Sequence, residues 1–426
     1  MGSTGVLDAD ALVVGAGPAG AAAAILLALE GWRVVLVEQH EYPRQKVCGE
    51  CISAGTLALI DELGVGAGFR RHAGAELREV AWMSASATLV GEFPDCAAGP
   101  YRFGRALGRD VLDSLFLERA RAVGVRILQP ARVRAVGGTL GNFQCRIEER
   151  DSKRAAPRPF VPATVISAAI IIDAHGSWEA APVFAGERGA ARERISRSAS
   201  DLFAFKARFR GAALPPGLLP VLAFAGGYGG IVVADEGQTT LACCIRRDAL
   251  QTSRVLTPCA PAGIAVEATL RRSCPGARDA LRDARREGSW LSVGPIRPGI
   301  RLSAPCGVFR VGNAAGESHP LIGEGISMAL QSARLLVDLL KQQPAAAIDG
   351  RRAMILKRCY AHTWRQHFMP RVRLAAIFAH VTMRPMLSEP VTGVLRRWPR
   401  LLTAAARFTG KARKPIDPLL FMRGPQ

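Results

Sequence analysis

Short apolar runs and one longer apolar, alanine-rich stretch alternate near the start of the chain. Residues 12–14 form a short run that ends in a glycine-rich turn. Residues 21–29 form the longer stretch, whose length is sufficient for a helix. Gly31 ends that stretch, and residues 33–37 form a second short, mostly apolar run. Short runs bounded by glycine favour buried strands, whereas the longer stretch favours a helix. The pattern therefore predicts a β-α-β unit.

Three glycines stand in the turn of this unit. Gly15, Gly17 and Gly20 have the spacing G-x-G-x-x-G, and Glu38 ends the second predicted strand. Gly15 allows a tight turn, Gly17 lets the backbone approach a pyrophosphate, and Gly20 permits close packing of helix and strand. The helix N-terminus faces the phosphate charge, and Glu38 can accept hydrogen bonds from ribose hydroxyls. The pattern predicts a dinucleotide site; an ordinary α/β turn with an exposed glutamate is the alternative.

The rest of the chain predicts further strands and helices. Residues 75–93 alternate apolar and polar positions, as antiparallel strands with one exposed face do. An amphipathic helix is predicted before Gly124, and the β-branched residues 164–172 predict a strand. A second sheet is predicted from residues 198–250, with runs at 202–210, 229–234 and 239–245, and helix from the charged residues 262–287. Residues 150–163, rich in charge and proline, predict a surface loop.

The composition fits a folded protein with a large core. The chain has 426 residues, of which 49% are hydrophobic and 22% charged, and this size suggests two or three domains. The formal net charge is +20, yet aromatic residues make up only 6% and are not interleaved with a basic run, so we predict no nucleic-acid partner. Cysteines without a regular framework, no signal-peptide pattern and no run able to span a bilayer favour the cytoplasm.

Two cysteines have a spacing that deserves separate interpretation. Cys48 and Cys51 form C-x-x-C, which suggests a redox dithiol or half a metal site. No second C-x-x-C or paired histidine supplies further ligands, so we predict no metal. A thioredoxin-type pair would open a helix in a different unit. We therefore expect a structural role or a place beside a cofactor.

The sequence resembles a family of flavoproteins. The glycine motif, Glu38 and the segment PRQKVCGE at residues 43–50 are similar to those of the geranylgeranyl reductase group, which belongs with the aromatic-hydroxylase type of FAD enzymes. Residues 309–330 resemble the Gly-Asp-Ala-Ala and Pro-x-x-Gly-x-Gly segments of these proteins. The matching segments frame residues 11–335. Glu50 stands where many reductases have glycine, and Asn313 replaces the aspartate.

The resemblance implies FAD as the cofactor and suggests its contacts. In this family an arginine three residues before a Leu-Asp pair holds the phosphate or ribose region; Arg109 matches it, with Arg105 as the alternative. Backbone groups near Val133 clamp the adenine. The turn and helix N-terminus after Pro320 approach the pyrimidine edge of the ring, where about half a positive charge would stabilise the anionic reduced flavin. The FAD-binding residues implied are Gly15, Gly17, Ala19, Gly20, Glu38, Arg44, Arg109, Val133, Asn313, Gly323, Gly325 and Ile326.

The expected fold class is α/β. A Rossmann-type FAD-binding domain, residues 1–75, 101–180 and 295–340, encloses an inserted antiparallel β-sheet substrate domain, residues 76–100 and 181–294. A helical C-terminal region follows, residues 341–426.

The candidate catalytic residues are Cys48, Tyr228 and Pro320. In the reductases the Cys-Gly segment lies beside the isoalloxazine ring, and Pro320 opens the turn at the ring's edge. Tyr228 lies in a glycine-rich segment that resembles one on the substrate side of the flavin, where it could donate a hydrogen bond to a substrate oxygen. A packed tyrosine in a turn is the alternative.

The electron donor is NAD(P)H or another reductant. His175 replaces the aspartate of an Ala-Asp-Gly motif that hydroxylases use for both FAD and NAD(P)H, which argues against direct handling of NAD(P)H. Asp173 is a nearby substitute.

Three functions compete: hydroxylation of a phenolic or polyketide-like molecule, reduction of a carbon–carbon double bond in a prenyl chain, and a non-catalytic flavin-binding or membrane-associated module. The intact flavin-edge motif argues against the third. Low aromatic content and apolar segments favour a hydrophobic small-molecule substrate. We favour hydroxylation slightly, because Glu50 would place a carboxylate near a pocket otherwise suited to isoprene.

The C-terminal region carries arginines among apolar stretches. Residues 374–381 and 401–408 look like amphipathic helices. We favour packing against the rest of the protein. The alternative is peripheral contact with the inner face of a membrane, where a basic face pairs with anionic lipid.

Overall fold

The structure of the protein is a computed structural model that describes residues 7–96, 100–149, 164–179, 183–184 and 198–407. The loop predicted at residues 150–163 lies outside the described residues, and so does Phe408 at the end of the last predicted helix.

The described strands are β1 (Leu7–Val14), β2 (Val34–Val37), β3 (Cys51–Ile52), β4 (Glu79–Met83), β5 (Thr88–Glu92), β6 (Arg105–Ala106), β7 (Arg126–Leu128), β8 (Ala131–Thr139), β9 (Asn142–Glu149), β10 (Thr164–Asp173), β11 (Val183–Phe184), β12 (Leu202–Arg210), β13 (Leu218–Phe224), β14 (Gly227–Val233), β15 (Thr239–Arg246), β16 (Arg285–Ile296), β17 (Gly299–Ile300), β18 (Val308–Arg310) and β19 (Gly316–Glu317).

The described α-helices are α1 (Pro18–Leu29), α2 (Ala54–Glu62), α3 (Gly66–His72), α4 (Arg109–Ala122), α5 (Arg247–Val255), α6 (Ala262–Ser273), α7 (Pro275–Ala280), α8 (Gly325–Leu340), α9 (Gly350–Thr382), α10 (Pro385–Arg397) and α11 (Arg400–Ala406). Short 3₁₀ turns cover Asp235–Gly237, Gly312–Ala314, Pro320–Ile322 and Ala345–Ala347.

The first sheet has a parallel centre. Its strands follow the order β11-β8-β9-β10-β1-β2-β7, with β18 also paired to β10. β1 pairs in parallel with both β2 and β10, whereas β8, β9 and β10 form an antiparallel meander. The carboxyl ends of β1 and β10 lie side by side, with Val14 opposite Asp173. Ligands of such sheets bind at this edge.

The second sheet follows the order β16-β12-β15-β14-β13-β4-β5. Its pairings are antiparallel except for β13 with β4, which is parallel. Its strands come from two separate stretches of the chain, and α6 and α7 cover one of its faces.

Apolar packing explains why these elements form. α1 is buried almost all round, because it lies between the first sheet and helices α4 and α8. The opposite face carries a second apolar cluster, in which residues of β1 and β2 contact Val133, Phe143 and Cys145 of the meander. A helix that is apolar on every side is stable only when all of its sides are buried, and the first sheet together with α4 and α8 buries α1.

Helix α9 joins the two halves of the molecule. Asp349 caps it by accepting a hydrogen bond from Arg352 N at 2.8 Å. Its middle buries Trp364 and Phe368 in the core of the first half, and its end packs Ala379 beside Tyr228 of the second sheet. No described helix has the length and apolar character needed to cross a membrane.

The predicted α/β fold class is confirmed, and one predicted element is wrong. Residues 262–287 were expected to be helical throughout, but the helices end at Ala280 and β16 begins at Arg285. β16 is an edge strand with mostly exposed or half-exposed side chains, so its sequence lacks the apolar run that signals a strand.

Candidate functional site

A continuous cleft runs from the carboxyl edge of the first sheet to the face of the second sheet. Two cavities make up this cleft, and Gly17, Lys46 and Ala174 line both of them. The larger cavity is an open-mouthed cleft of about 1610 Å³, a volume that includes space open to solvent. It extends from the glycine turn and the N-terminus of α8 to the strands of the second sheet.

The glycine turn leaves room where a phosphate group needs it. Gly15 has φ +98°, and a Cβ there would lie 2.6 Å from Ala174 O. Among the residues that the structure describes, a Cβ on Gly17 would meet only Arg109 Nη2, at 3.6 Å, so this position faces the open cleft at the N-terminus of α1. A Cβ on Gly20 would lie 1.8 Å from Gly15 O. Gly20 therefore supports the turn from behind and lines neither cavity.

The smaller cavity has the features of an adenosine site. It is lined by Gly15, Glu38, Arg44 and Val133 among others. The buried Glu38 carboxylate accepts hydrogen bonds from Ala16 N and His40 N, both at 2.9 Å. These bonds fix the carboxylate at the end of β2, where ribose hydroxyls can donate to its remaining lone pairs.

Two cations flank the passage between the cavities. Arg109 is buried and makes a bidentate ion pair with Asp113, at 2.8 and 2.6 Å. Lys46 lies over the ring of Trp178, 5.5 Å from its centroid. Burial lowers the pKa of Lys46 from 10.5 to about 8. Arg105, the alternative to Arg109, lies in β6 and lines neither cavity.

The turn after Pro320 lines the larger cavity. Pro320, Gly323, Gly325 and Ile326 all contribute to its wall, and Ala19 lies there too. Gly323 has φ +64°, the left-handed conformation that glycine adopts without strain. It leads directly into α8, whose N-terminus at Gly325 opens to the cavity. Free N–H groups at this end favour negative charge on a bound ring.

Asn313 is also in the wall of the larger cavity. Its amide nitrogen donates to Glu317 Oε1 at 3.2 Å, and Ser177 donates to the same oxygen at 2.9 Å. Asp173 is fully buried, contacts His175 and Arg310, and lines neither cavity. The structure thus does not place Asp173 where it would substitute for the missing aspartate.

The glycine turn and the residues that line the two cavities fit flavin adenine dinucleotide, and comparisons with known proteins also indicate this cofactor. Residues 8–169 match a family model described as an FAD binding domain. The chain therefore contains an FAD-binding domain, and its curated relatives include reductases and monooxygenases. FAD is its cofactor.

Curated relatives of this flavoprotein have different activities. A menaquinone reductase of Mycobacterium tuberculosis (strain ATCC 25618 / H37Rv) is 26% identical over 360 residues, which cover 80% of this chain and 78% of the relative. A 6-methylpretetramide 4-monooxygenase of Streptomyces rimosus is 37% identical over 118 residues, 26% of this chain and 27% of the relative.

Solved structures share the fold of this flavoprotein. The flavin-dependent brominase Bmp2 matches with a TM-score of 0.68 and 16% identity, covering 97% of both chains. A geranylgeranyl bacteriochlorophyll reductase-like protein from Thermoplasma acidophilum matches with a TM-score of 0.66 and 16% identity, covering 95% of this chain and all of the other.

Cys48 and Cys51 of the flavoprotein both line the larger cavity. Cys48 is half-buried, and its Sγ accepts a hydrogen bond from Glu50 N at 3.3 Å. Cys51 is buried in β3, and its Sγ donates to Gly49 O at 3.3 Å. The two thiols thus have different surroundings, and Cys48 is the more accessible.

Glu50 is held in a buried polar network between the two halves. Its φ of +61° is a left-handed conformation, which costs about 1–2 kcal/mol for a non-glycine residue. Its carboxylate contacts Lys206 Nζ, and it accepts from Thr240 Oγ1 at 2.5 Å and from Arg109 N at 3.0 Å. Arg208 lies 3.4 Å away. These contacts stabilise the unusual backbone and fix the Cys48–Glu50 turn against the second sheet.

Tyr228 and His319 form a polar pair in the larger cavity. The Tyr228 hydroxyl lies 3.1 Å from His319 Nδ1, and both residues line the wall. Burial lowers the pKa of His319 to about 4, and burial also raises the pKa of Tyr228 well above 10. Both side chains are therefore neutral near pH 7.

Three residues of the site had no role predicted from the sequence. Lys46 lay within a recognised segment but without an assigned role, and its position before Cys48 was the available signal. His319 stood directly before the predicted Pro320. Lys206 stands between Phe205 and Ala207 in a strand that also contains Arg208 and Arg210, and a charge within a mainly apolar stretch is a sign of a buried ion pair.

Proposed function

We propose that the protein is an FAD-dependent monooxygenase that hydroxylates a hydrophobic phenol of polyketide-like or alkylated type. The observation that carries the proposal is the Tyr228–His319 pair. It faces a cavity whose second-sheet wall is largely apolar, including Phe205, Leu219, Val221, Ile231, Val232 and Ala242. Such a cavity suits an amphipathic molecule with one hydroxyl group and a large apolar body.

The polar pair can orient a phenol. The Tyr228 oxygen would accept a hydrogen bond from the substrate hydroxyl while its own proton is donated to His319 Nδ1. Full transfer of the phenol's proton to His319 is not favoured, because pKa values of about 10 and about 4 differ by about 8 kcal/mol. The pair therefore positions and polarises the phenol, whose proton stays in the hydrogen bond between the phenol and the Tyr228 oxygen.

The remaining residues of the chain prepare the site. When bound, FAD would supply the oxygen-transfer chemistry, with electrons from NAD(P)H or another reductant. Lys46 and Arg109 would bind the pyrophosphate beside Gly17. The N-terminus of α8 would favour negative charge at the ring edge. Apolar side chains from the second sheet would exclude water from the reacting atoms.

The similarity to the Streptomyces rimosus monooxygenase, 37% identical over 118 residues, supports this proposal. None of the ten cysteines forms a disulfide, which supports a cytoplasmic enzyme. The second candidate is reduction of a carbon–carbon double bond in a prenyl chain. A reductase is supported by the similarity to menaquinone reductases, which match over 80–94% of the chain.

The two candidates separate with a small panel of substrates. The holoenzyme is given a reductant and oxygen with a long-chain alkylphenol or its methyl ether, and separately a prenylated quinone without oxygen. We expect oxygen uptake with the phenol and at least about tenfold lower kcat/KM with the ether, which cannot donate the hydrogen bond. Saturation of the prenyl chain, with no hydroxylated product from any phenol, would establish the reductase instead.

A further inference from the structure

Helix α10 and the residues that follow it present an unusual outer face, which we call the α10 face. It consists of Met386, Leu387, Val394, Trp398 and Leu401, all exposed. Met386 is 90% exposed and Trp398 57%. Met386 and Val394 lie eight residues apart, two helical turns, with Pro390 exposed between them, so they follow one stripe. Contiguous exposed apolar side chains usually mark a contact site.

The inner side of the same segment is well packed. Thr392 accepts a hydrogen bond from Trp82 Nε1 at 2.9 Å, and Leu395 and Leu402 are buried. The exposure of the outer stripe is therefore not a consequence of a loosely placed helix. The segment is anchored on one side and apolar on the other.

The segment that carries the α10 face is rich in arginine. Residues 383–407 contain Arg384, Arg396, Arg397, Arg400 and Arg407, with Glu389 as the single acidic residue. Glu389 accepts a hydrogen bond from Ser86 Oγ, which occupies one acceptor position of its carboxylate. An apolar stripe with tryptophan and a basic rim is the pattern of a helix that lies in a membrane interface.

The α10 face lies next to the flavin cavity. Met383 O, two residues before α10, accepts a hydrogen bond from Gly226 N at 2.9 Å, and Met383 packs with Tyr228. Leu395 and Leu402 belong to the same apolar cluster as Leu219, a residue of the cavity wall. The strands that line the cavity thus support the α10 face from below.

We propose that the α10 face docks on a membrane containing anionic lipid, so that a lipid-dissolved substrate can reach the cavity. The docking is inferred from the exposed apolar residues and the arginines of this segment. The delivery of substrate rests on the proposed function. The basic rim is complementary to anionic headgroups. A second copy of the chain is a poorer partner, because a twofold contact would bring the arginine rims together.

Vesicle sedimentation of the holoprotein tests the docking. We expect binding to vesicles of phosphatidylcholine with phosphatidylglycerol, and much weaker binding to phosphatidylcholine alone. Removing the charges of Arg396 and Arg397 with glutamine should weaken binding about 25-fold, since each basic residue contributes about fivefold near an anionic surface. Met386→Glu with Val394→Glu should weaken it at least tenfold.

The matched control is Val255→Glu with Leu256→Glu, because these residues are exposed but lie at the end of α5. The control should bind vesicles as the parent does, and every variant should keep its FAD absorbance and melting temperature. Equal losses in control and α10 variants, or no loss in the α10 variants, would overturn the proposal. Self-association abolished by Met386→Glu, without vesicle binding, would assign the face to a second copy.

Substrate turnover separates the docking from the proposed function. Turnover of a short, water-soluble phenol should be the same in the α10 variants and the parent, whereas turnover of a vesicle-borne phenol should fall with vesicle binding. Vesicle binding without any hydroxylation would leave the docking intact and refute only the proposed function.

Discussion

Replacing Lys206 with methionine would leave the Glu50 carboxylate buried with one cation fewer. Both side chains are fully buried and in direct contact. Removal of one partner from a buried ion pair typically costs about 3–5 kcal/mol. Because Arg208 and Thr240 still contact the carboxylate, at 3.4 and 2.5 Å, we expect the lower end, about 3 kcal/mol.

Urea titration and calorimetry measure this loss. With an unfolding entropy of about 2.1 cal/mol/K per residue, about 3 kcal/mol corresponds to a fall of about 3 °C in Tm. Lys357→Met is the matched control: Lys357 Nζ donates to Pro305 O at 3.0 Å, and we expect a loss below about 1 kcal/mol.

The double variant Glu50→Gln with Lys206→Met tests the coupling. It removes both charges, so its cost should be at least about 2 kcal/mol less than the sum of the single costs. Strictly additive costs, or a Lys206→Met loss no larger than the control's, would refute the ion-pair account of the Cys48–Glu50 turn.

Four further predictions concern the cofactor and the cavity. Gly17→Val should fold normally yet co-purify with less than about a tenth of the parent's FAD, because the side chain would enter the phosphate path; normal FAD content would contradict the assignment. FAD affinity should fall between pH 7 and 9.5, as Lys46 loses its charge above its pKa of about 8, and Lys46→Met should bind weakly without this slope. Cys48→Ser should alter turnover and spare FAD content, whereas Cys51→Ser should change turnover less; equal, negligible effects would remove Cys48 from the reaction. Since burial lowers the pKa of His319 from 6.5 to about 4, stability should be full above pH 6.5 and fall towards pH 4, and this fall should be smaller in His319→Gln.

Local patterns predicted the cofactor-binding half, because its signals lie close together in the sequence. The glycine turn, the second strand and Glu38 span few residues, and each has a direct physical reason. β12 was predicted with the bounds that the structure shows, since the stretch is long and contains three phenylalanines, which favour strands.

Contacts between distant residues could not be predicted. Glu50 and Lys206 are 156 positions apart, and Tyr228 and His319 are 91 apart. Neither pair leaves a local pattern, because each depends on how the two sheets face one another. β13, which contains Pro220 and pairs with β4 from a different stretch of the chain, was missed for a similar reason.

Oxygen-isotope labelling tests the central claim most directly. The holoenzyme is supplied with a reductant, an alkylphenol and ¹⁸O₂, and the product is analysed by mass spectrometry. A monooxygenase inserts one atom from molecular oxygen, so we predict a product heavier than the substrate by about 18 mass units with ¹⁸O₂ and about 16 with ordinary oxygen. A product heavier by about 2 mass units, formed equally well without oxygen from a prenyl substrate, would contradict the account.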